Sequence, residues 1–498
     1  MSAPIRSIVI VGGGTAGWIA AAILARALPN VGLEITVIES QDIGTVGVGE
    51  ATIPPILDLL RFLSIDEANF VAQTQATYKL GIRFADWSRI GEDYWHPFGT
   101  FGVSINRRPF YQAFLKARAN GLRPRFNDFS LGAVLGESNL FRFPDAAGQG
   151  PENGLRYALH FDAALVARYL RAYAERLGVT RLEKNVVAPQ WREDGFLTGL
   201  MFSDGGSISG DLFLDCSGFR GVLIEQVLGT GYEDWTHWLP CNRAVAMPTE
   251  LKGPRPPYTY AQALTGGWRW RIPLQHRVGN GYVYSSAHTS DHQALDELIA
   301  QTGEPSGDPR VLRFVTGRRK SFWNRNVVAL GLASGFLEPL ESTSIHLVIS
   351  GVYNLLDHFP DKAFEPANIS TYNAELAAEM NHIRDFLILH YCTTRRDDTD
   401  FWRRCAALEL PESLQDRIAL YRGSGRVANR PGELFTDLSW FYVYEGMGVI
   451  PDRYDPLMDV VQLGQFREIL GKLATSTAAA ARGAHRHDDL FPQATGIA

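Results

Sequence analysis

Cysteine is scarce in this chain. Its 498 residues carry four, Cys216, Cys241, Cys392 and Cys405. None lies in a CxxC pair and no zinc-type spacing occurs, so no metal site is expected and a reducing cytoplasm fits best. Long hydrophobic runs are missing as well. No stretch of 18 apolar residues exists, which leaves no transmembrane helix and no membrane partner. The first residues lead straight into a strand rather than a secretory leader. Nor is positive charge in excess. Forty-eight Lys and Arg against 54 Asp and Glu give a net charge of −6, which argues against a general nucleic-acid binder, for that needs a basic face.

Aromatic side chains are what the chain does have. Eleven Trp, 18 Tyr and 27 Phe make 11% of it, more than enough for a core and for an aromatic ligand pocket. The length permits two or more subdomains.

Ser7–Val11 (SIVIV) has the pattern of a buried parallel strand, followed by a glycine turn and an Ala/Leu-rich helix, Trp18–Leu28. Leu33–Ile38 is the next strand and ends at Glu39. The turn, Gly12-Gly13-Gly14-Thr15-Ala16-Gly17, matches G-x-G-x-x-G in the context that motif requires. Gly12 makes the tight turn, and Gly14 lets backbone approach a pyrophosphate beside Ala16. Gly17 lets helix pack on strand, and Glu39 stands where a ribose-binding acid is expected. The expected fold is α/β, with a Rossmann-like dinucleotide core. The fingerprint alone leaves FAD and NAD both open.

Further strands are expected near Val186–Gln190, Leu197–Phe202 and Ser207–Phe213, with turns at Asp194-Gly195 and Asp204-Gly205. This meander ends in Leu214-Asp215-Cys216-Ser217-Gly218. Asn326–Gly331 is a last short buried strand, and Asp162 is a candidate N-cap for a helix to Glu175. A second glycine-rich loop, Gly44–Pro54, contains Val48, Gly49 and Ala51. Its small residues let backbone pass close to a ligand. From about Leu347 to Leu473 the pattern is mainly helical. Thr475–Ala498 has the composition of a mobile tail.

Gly267-Trp268-Arg269-Trp270-Arg271-Ile272-Pro273 is an uncommon string. In a strand, Trp268 and Trp270 share one face and the two arginines the other. Pro273 lacks an N–H, so the strand ends there or runs at an edge. Taken alone, Lys79 in Thr77-Tyr78-Lys79-Leu80-Gly81 is an ordinary strand lysine, and Glu341 in Leu337–Ser344 an ordinary capping acid.

Together these motifs resemble flavin-dependent halogenases, in pattern closest to the tryptophan/indole halogenases. The carriers are the GWxWxIP-type string, the N-terminal G-x-G-x-x-G, TYKLGIRFADW around Lys79 and FLEPLEST around Glu341. His96-Pro97-Phe98-Gly99, Tyr157–Asp162 and Thr394–Trp402 join them, so the likeness runs from Ile8 to about Pro456. It implies an aromatic-hydroxylase-type FAD domain with a β-meander and a mainly helical substrate subdomain. The cofactor would be FAD, used as FADH2, with Asp215, Gly331 and Leu337 among its contacts beside the two glycine-rich turns. The implied domains are 1–110 with 150–350 for FAD, and 111–149 with 351–474 for substrate, leaving 475–498 as a flexible tail.

The same resemblance implies an activity. FADH2, O2 and halide give hypohalous acid, which Lys79 relays to an electron-rich ring, indole or an indole derivative. Glu341 and Ser342 are the further catalytic residues, and Thr343 and Ser344 hold halide. Trp268 and Trp270 separate flavin from substrate. His96, Phe98, Trp440, Tyr444 and Glu445 bind the substrate, Glu445 by meeting an ammonium. A separate flavin reductase supplies FADH2, and a homodimer stays open. One departure stands out: Glu-Ser-Thr-Ser344-Ile-His346 replaces the family's Glu-Ser-Thr-Gly-Ile-Tyr, which leaves chloride and bromide both open and leans to bromide. An FAD-dependent hydroxylase and a non-catalytic FAD-binding protein are the alternatives. The Lys79, Glu341 and double-tryptophan set argues against both.

Overall fold

The computed structural model describes residues 3–29, 32–40, 49–145, 147–148 and 150–491. The chain divides into two units, each assembled from three separate stretches. The first holds residues 1–76, 161–237 and 313–380; the second holds 77–160, 238–312 and 381–498.

The first unit is built on a six-stranded sheet. Its order is Trp323–Asn324, Val327–Ala329, Leu212–Asp215, Ser7–Val11, Glu34–Glu39, Thr180–Glu183. All neighbours are parallel except the outermost pair, Trp323–Asn324 with Val327–Ala329. The middle stretches Ile8–Val11, Leu212–Leu214 and Val327–Ala329 are apolar and buried, as a sheet covered on both faces requires. Val9, Val11, Ile38, Phe213 and Val327 form one core with Leu197 and Leu200 of the meander. That meander is Val186–Trp191, Leu197–Phe202 and Ser207–Ser209. Its third strand is shorter than the expected Ser207–Phe213, because the chain leaves the meander at Gly210-Asp211 and Leu212–Asp215 joins the six-stranded sheet instead. Helix Thr15–Ala27 follows the first strand, and helix Ala163–Arg176 begins at the expected cap: the Asp162 carboxylate accepts from the N–H groups of Ala164 and Leu165.

The second unit centres on a seven-stranded sheet. Six of its strands run in the order Arg243–Thr249, Val278–Tyr284, Gly267–Pro273, Thr259–Leu264, Gly81–Ala85, Asp93–Pro97. The double-tryptophan strand is therefore internal, and it ends at Pro273 as the missing N–H predicts. Its pairing is antiparallel on both sides. Thr259–Leu264 then joins Gly81–Ala85 in a parallel pair. Helices Phe110–Ala119, Asp400–Ala406, Glu412–Ser424, Asp437–Gly446 and Leu463–Ala481 belong to this unit.

The boundaries differ from the expected ones. Residues 77–110 and 238–312 stand in the second unit, because Gly81–Ala85 and Asp93–Pro97 extend the sheet that carries the two tryptophans. The expected tail is also structured over much of its length. Helix Leu463–Ala481 continues through Thr475–Ala481, four alanines at its end being strong helix formers. Beyond it, His485–Arg486 pairs with Leu140–Phe141, and His487 and Phe491 are buried.

Candidate functional site

The glycine turn of the first unit is shaped by steric necessity. Gly12 has φ +118°, and a Cβ there would lie 2.2 Å from the Cys216 carbonyl oxygen. A Cβ on Gly17 would lie 1.9 Å from the Gly12 carbonyl oxygen. Gly14 is the opposite case, since a Cβ there would meet no atom within 4 Å. Gly14 also caps helix Thr15–Ala27 without any side-chain hydrogen bond, and the helix has no acid in its first turn. Uncapped amide groups at a helix start, faced by open space, fit a pyrophosphate. Gly331, at φ +61°, closes on this helix, for a Cβ there would come within 2.8 Å of the Ala16 methyl.

Glu39 ends its strand as expected, with an oxygen 1.8 Å from where a Gly13 Cβ would be. Its carboxylate is already engaged, by the Arg181 ion pair and by the Trp18 indole N–H at 3.3 Å. Asp215 is fully buried and spends its oxygens on the chain itself. It accepts from the Leu223 and Ile224 amides at 2.7 and 2.8 Å and from the Ser217 hydroxyl at 2.5 Å. Through these bonds Asp215 holds the turn after its strand. Gly49 and Ala51 lie in strand Gly49–Ala51 and are buried. Val48 lies outside the described residues. Leu337 is buried beside the final turn.

That final turn carries the acid. Pro339–Glu341 makes a single 3-10 turn, Ser342 takes left-handed backbone at φ +60°, and helix Ser344–Asp357 starts after Thr343. A serine held there costs on the order of 1–3 kcal/mol, and such strain clusters at functional sites. Glu341, Ser342 and Thr343 are all buried. Thr343 gives the helix no side-chain cap, so its first amides are open to an anion. His346, one turn on, bonds Glu379 through Nε2 at 2.9 Å, and Ser350 donates to the same carboxylate at 2.7 Å.

In the second unit, Lys79 ends strand Thr77–Lys79 with no exposed surface. Its ammonium lies 5.2 Å from the centre of the Phe98 ring, a cation–π contact. Phe98 borders a cavity of about 190 Å³, lined also by Leu131, Leu155, Leu473 and Thr477.

Trp268 and Trp270 share a face, their ring centres 6.1 Å apart. Gly281 stands opposite Trp270, and a Cβ there would lie 2.0 Å from the indole, so the ring lies flat over bare backbone. Arg269 sits on the other face over Tyr260. Register carries the tryptophan face sideways. Trp270 pairs with Ala261, Ala261 with Phe84 and Phe84 with Tyr94; two residues along, Ile82 pairs with His96. His96 therefore shares the face of the double tryptophan. Its ring is buried within 5.7 Å of Phe386, 5.9 Å of Tyr442 and 6.2 Å of Phe435.

Trp440 reaches this cluster edge-on to Phe386 at 5.1 Å. Tyr444 and Glu445 do not. Tyr444 stacks on Tyr421 at 4.1 Å as helix–helix packing. Glu445 is closed by a two-oxygen ion pair with Arg118. Burial raises its carboxyl above the usual range, against the pull of Arg118. The expected ammonium contact is thus taken by a guanidinium 327 residues away in sequence. Phe386, Phe435 and Arg118 escaped sequence reasoning. Phe435 lies just before the late aromatic segment, but Phe386 is one apolar position within the long helix Pro366–Cys392.

A buried lysine over an aromatic ring, a double-tryptophan wall and a dinucleotide cradle together define the chemistry to compare. The family model for tryptophan halogenase matches residues 7–463. The chain belongs to the tryptophan halogenase family. Tryptophan 6-halogenase SttH of Streptomyces toxytricini is 36% identical over 442 residues, 83% of each chain. Tryptophan 7-halogenase RebH of Lentzea aerocolonigenes is 33% identical over 498 residues, 92% of each. Two solved flavin-dependent halogenases match in fold. Xcc4156 of Xanthomonas campestris has a TM-score of 0.94 at 45% identity, covering 98% of this chain and 97% of its own. BrvH of Brevundimonas sp. BAL3 has a TM-score of 0.94 at 43% identity, covering 98% and 99%. The family match stops where helix Leu463–Ala481 begins, so the Leu473 and Thr477 wall beside Phe98 lies beyond it. Among the described residues, no helix is long and apolar enough to cross a membrane, and no group of three His, Cys, Asp or Glu is placed to hold a metal.

Proposed function

We propose that this halogenase installs bromide or chloride on an electron-rich aromatic ring, indole or an indole-bearing molecule, with Lys79 delivering the halogen. The observation that carries this is Lys79 itself: a completely buried ammonium set over Phe98 at the edge of a cavity. FADH2 with O2 supplies the oxidising equivalents that convert halide to hypohalous acid. The amides at Thr343 and Ser344, at an uncapped helix start, hold the halide.

Lys79 then donates a hydrogen bond to the oxygen of hypohalous acid and turns its halogen toward the ring. The ring carbon forms its bond to halogen, the halogen–oxygen bond breaks, and the hydroxide released takes a proton from the Lys79 ammonium and leaves as water; the ring proton replaces the one Lys79 has given. Glu341, with Ser342 beside it, takes the ring proton. Trp268 and Trp270 keep the ring away from the cofactor. His96 and Phe98 line its binding place, with Trp440 behind.

The relatives SttH and RebH are named for tryptophan. Here the acid expected to receive the amino group is held by Arg118, which favours a ring without that anchor. FADH2 comes from a separate reductase.

The test combines a flavin reductase, FAD, bromide or chloride and a panel of indoles, with mass detection of the halogen isotope pattern. Lys79→Ala should lower product at least ~100-fold while FAD stays bound. Undiminished product, or an oxygenated product formed without halide, overturns the proposal.

A further inference from the structure

We propose that His160 is a positioning residue for Lys79, an imidazole that fastens the lysine strand to strand Thr259–Leu264, the neighbour of the double-tryptophan strand, and so aims the lysine side chain. The inference rests on the delivery role proposed above for Lys79.

His160 has no exposed surface. It lies in strand Ala158–Asp162, directly opposite Thr77, while Lys79 faces Ala158. Thr77 and Lys79 are two residues apart, so their side chains share a face. The Thr77 hydroxyl sits 2.6 Å from the Pro273 carbonyl oxygen and 3.2 Å from His160 Nδ1. A carbonyl can only accept, so the one hydroxyl proton of Thr77 goes to Pro273. The Thr77 oxygen is then the acceptor toward His160, and Nδ1 carries the ring proton. In a neutral ring that leaves Nε2 as an acceptor, and the Thr259 hydroxyl meets it at 2.9 Å. Every polar atom of the ring is thus assigned. Burial and then the charge of Lys79 hold the ring neutral, and His487 and Arg271 act in the same direction.

Each partner stands on a different strand. Thr77 opens the lysine strand, Pro273 closes the double-tryptophan strand, and Thr259 opens the strand between Gly267–Pro273 and Gly81–Ala85. The lysine strand is only three residues long. With so little ladder of its own, its lateral placement depends on such side-chain ties. Delivery is sensitive to placement, since a displacement of about 1 Å at a reacting group can cost on the order of 100-fold in rate.

His160→Phe keeps the ring shape and removes both hydrogen bonds. His160→Asn keeps a donor near the Nδ1 position and restores the Thr77 bond. For His160→Phe we expect kcat for halogenated indole to fall by about 10- to 100-fold with KM within a factor of two. FADH2 consumption should stay near wild type, and hypohalous acid escaping to the scavenger monochlorodimedone should rise relative to product. His160→Asn should recover most of the product and suppress the escape. If both variants lose FADH2 consumption, product and escape in the same proportion, His160 is only structural and the proposal is overturned. Should His160→Phe fail to fold, Thr259→Val removes the Nε2 partner alone and is read by the same escape-to-product ratio. Lys79→Ala is run alongside. Product surviving in Lys79→Ala overturns the delivery role and this proposal with it. Product lost in Lys79→Ala with a wild-type ratio in the His160 variants overturns this proposal alone.

Discussion

Burying an imidazole sets how it titrates, and in this halogenase the effect extends to the far end of the chain. His487 donates from Nδ1 to the Arg255 carbonyl at 2.6 Å inside the second unit. Burial lowers its pKa from 6.5 to about 4, although the Arg255 carbonyl and the Asp488 charge partly oppose the shift. The unfolded chain therefore takes up a proton below 6.5 that the folded chain refuses. The resulting stability is fully present above 6.5 and is lost as the pH falls toward about 4, by roughly 3 kcal/mol over that window. His160 acts with the same sign. Melting temperature followed from pH 7 to pH 4 should fall, and His487→Gln should flatten the fall. At this scale the sequence was a partial guide. Lys79 and Glu341 were legible only through the motifs around them, because nothing about a lone lysine announces complete burial. Glu445 misled because its partner, Arg118, is remote in sequence and adjacent only in the fold.

Secondary-structure elements were more legible, because period and punctuation are local. The glycine turn, the Asp162 cap, the meander and the Pro273 stop all follow from spacing within a few residues. So did the two faces of Gly267–Pro273. Which strands flank it did not, since its neighbours come from residues 259–264 and 278–284, and the next strand from 81–85. Only that pairing shows why Trp270 lies flat: Gly281 has no side chain to lift it. Gly281→Val should push the indole off the sheet at a cost of about 1–3 kcal/mol. The expected result is a lower melting temperature and less halogenated product per FADH2 consumed, measured by calorimetry and by product against reductant. A wild-type melting temperature would show that the ring has room to move.

The whole molecule was the least legible scale. Neither unit is continuous in sequence, and no composition shift marks where the chain passes between them. The last segment illustrates the difficulty, because alanines and histidines that look like a tail become a brace. His485–Arg486 pairs with Leu140–Phe141, Asp488 bonds Arg255 at 3.1 Å, and Phe491 stacks on Tyr78 at 5.7 Å, next to Lys79. Ending the chain after Ala481 removes all three. The loss of buried Phe491 alone is about 1.5–3 kcal/mol. Thermal melting should shift down by several degrees, and halogenation should fall further than FAD affinity does. Equal losses of both would show that the brace has no special bearing on the lysine strand.

The divided layout also governs recombination. The chain passes between units at 76/77, 160/161, 237/238, 312/313 and 380/381. A chimera exchanging one unit between two halogenases needs all five junctions, and a single crossover inside 77–380 leaves both units with mixed parentage. Thr77 and His160 sit at the first two junctions, so their hydrogen bond spans two inheritance blocks whenever a crossover falls between them.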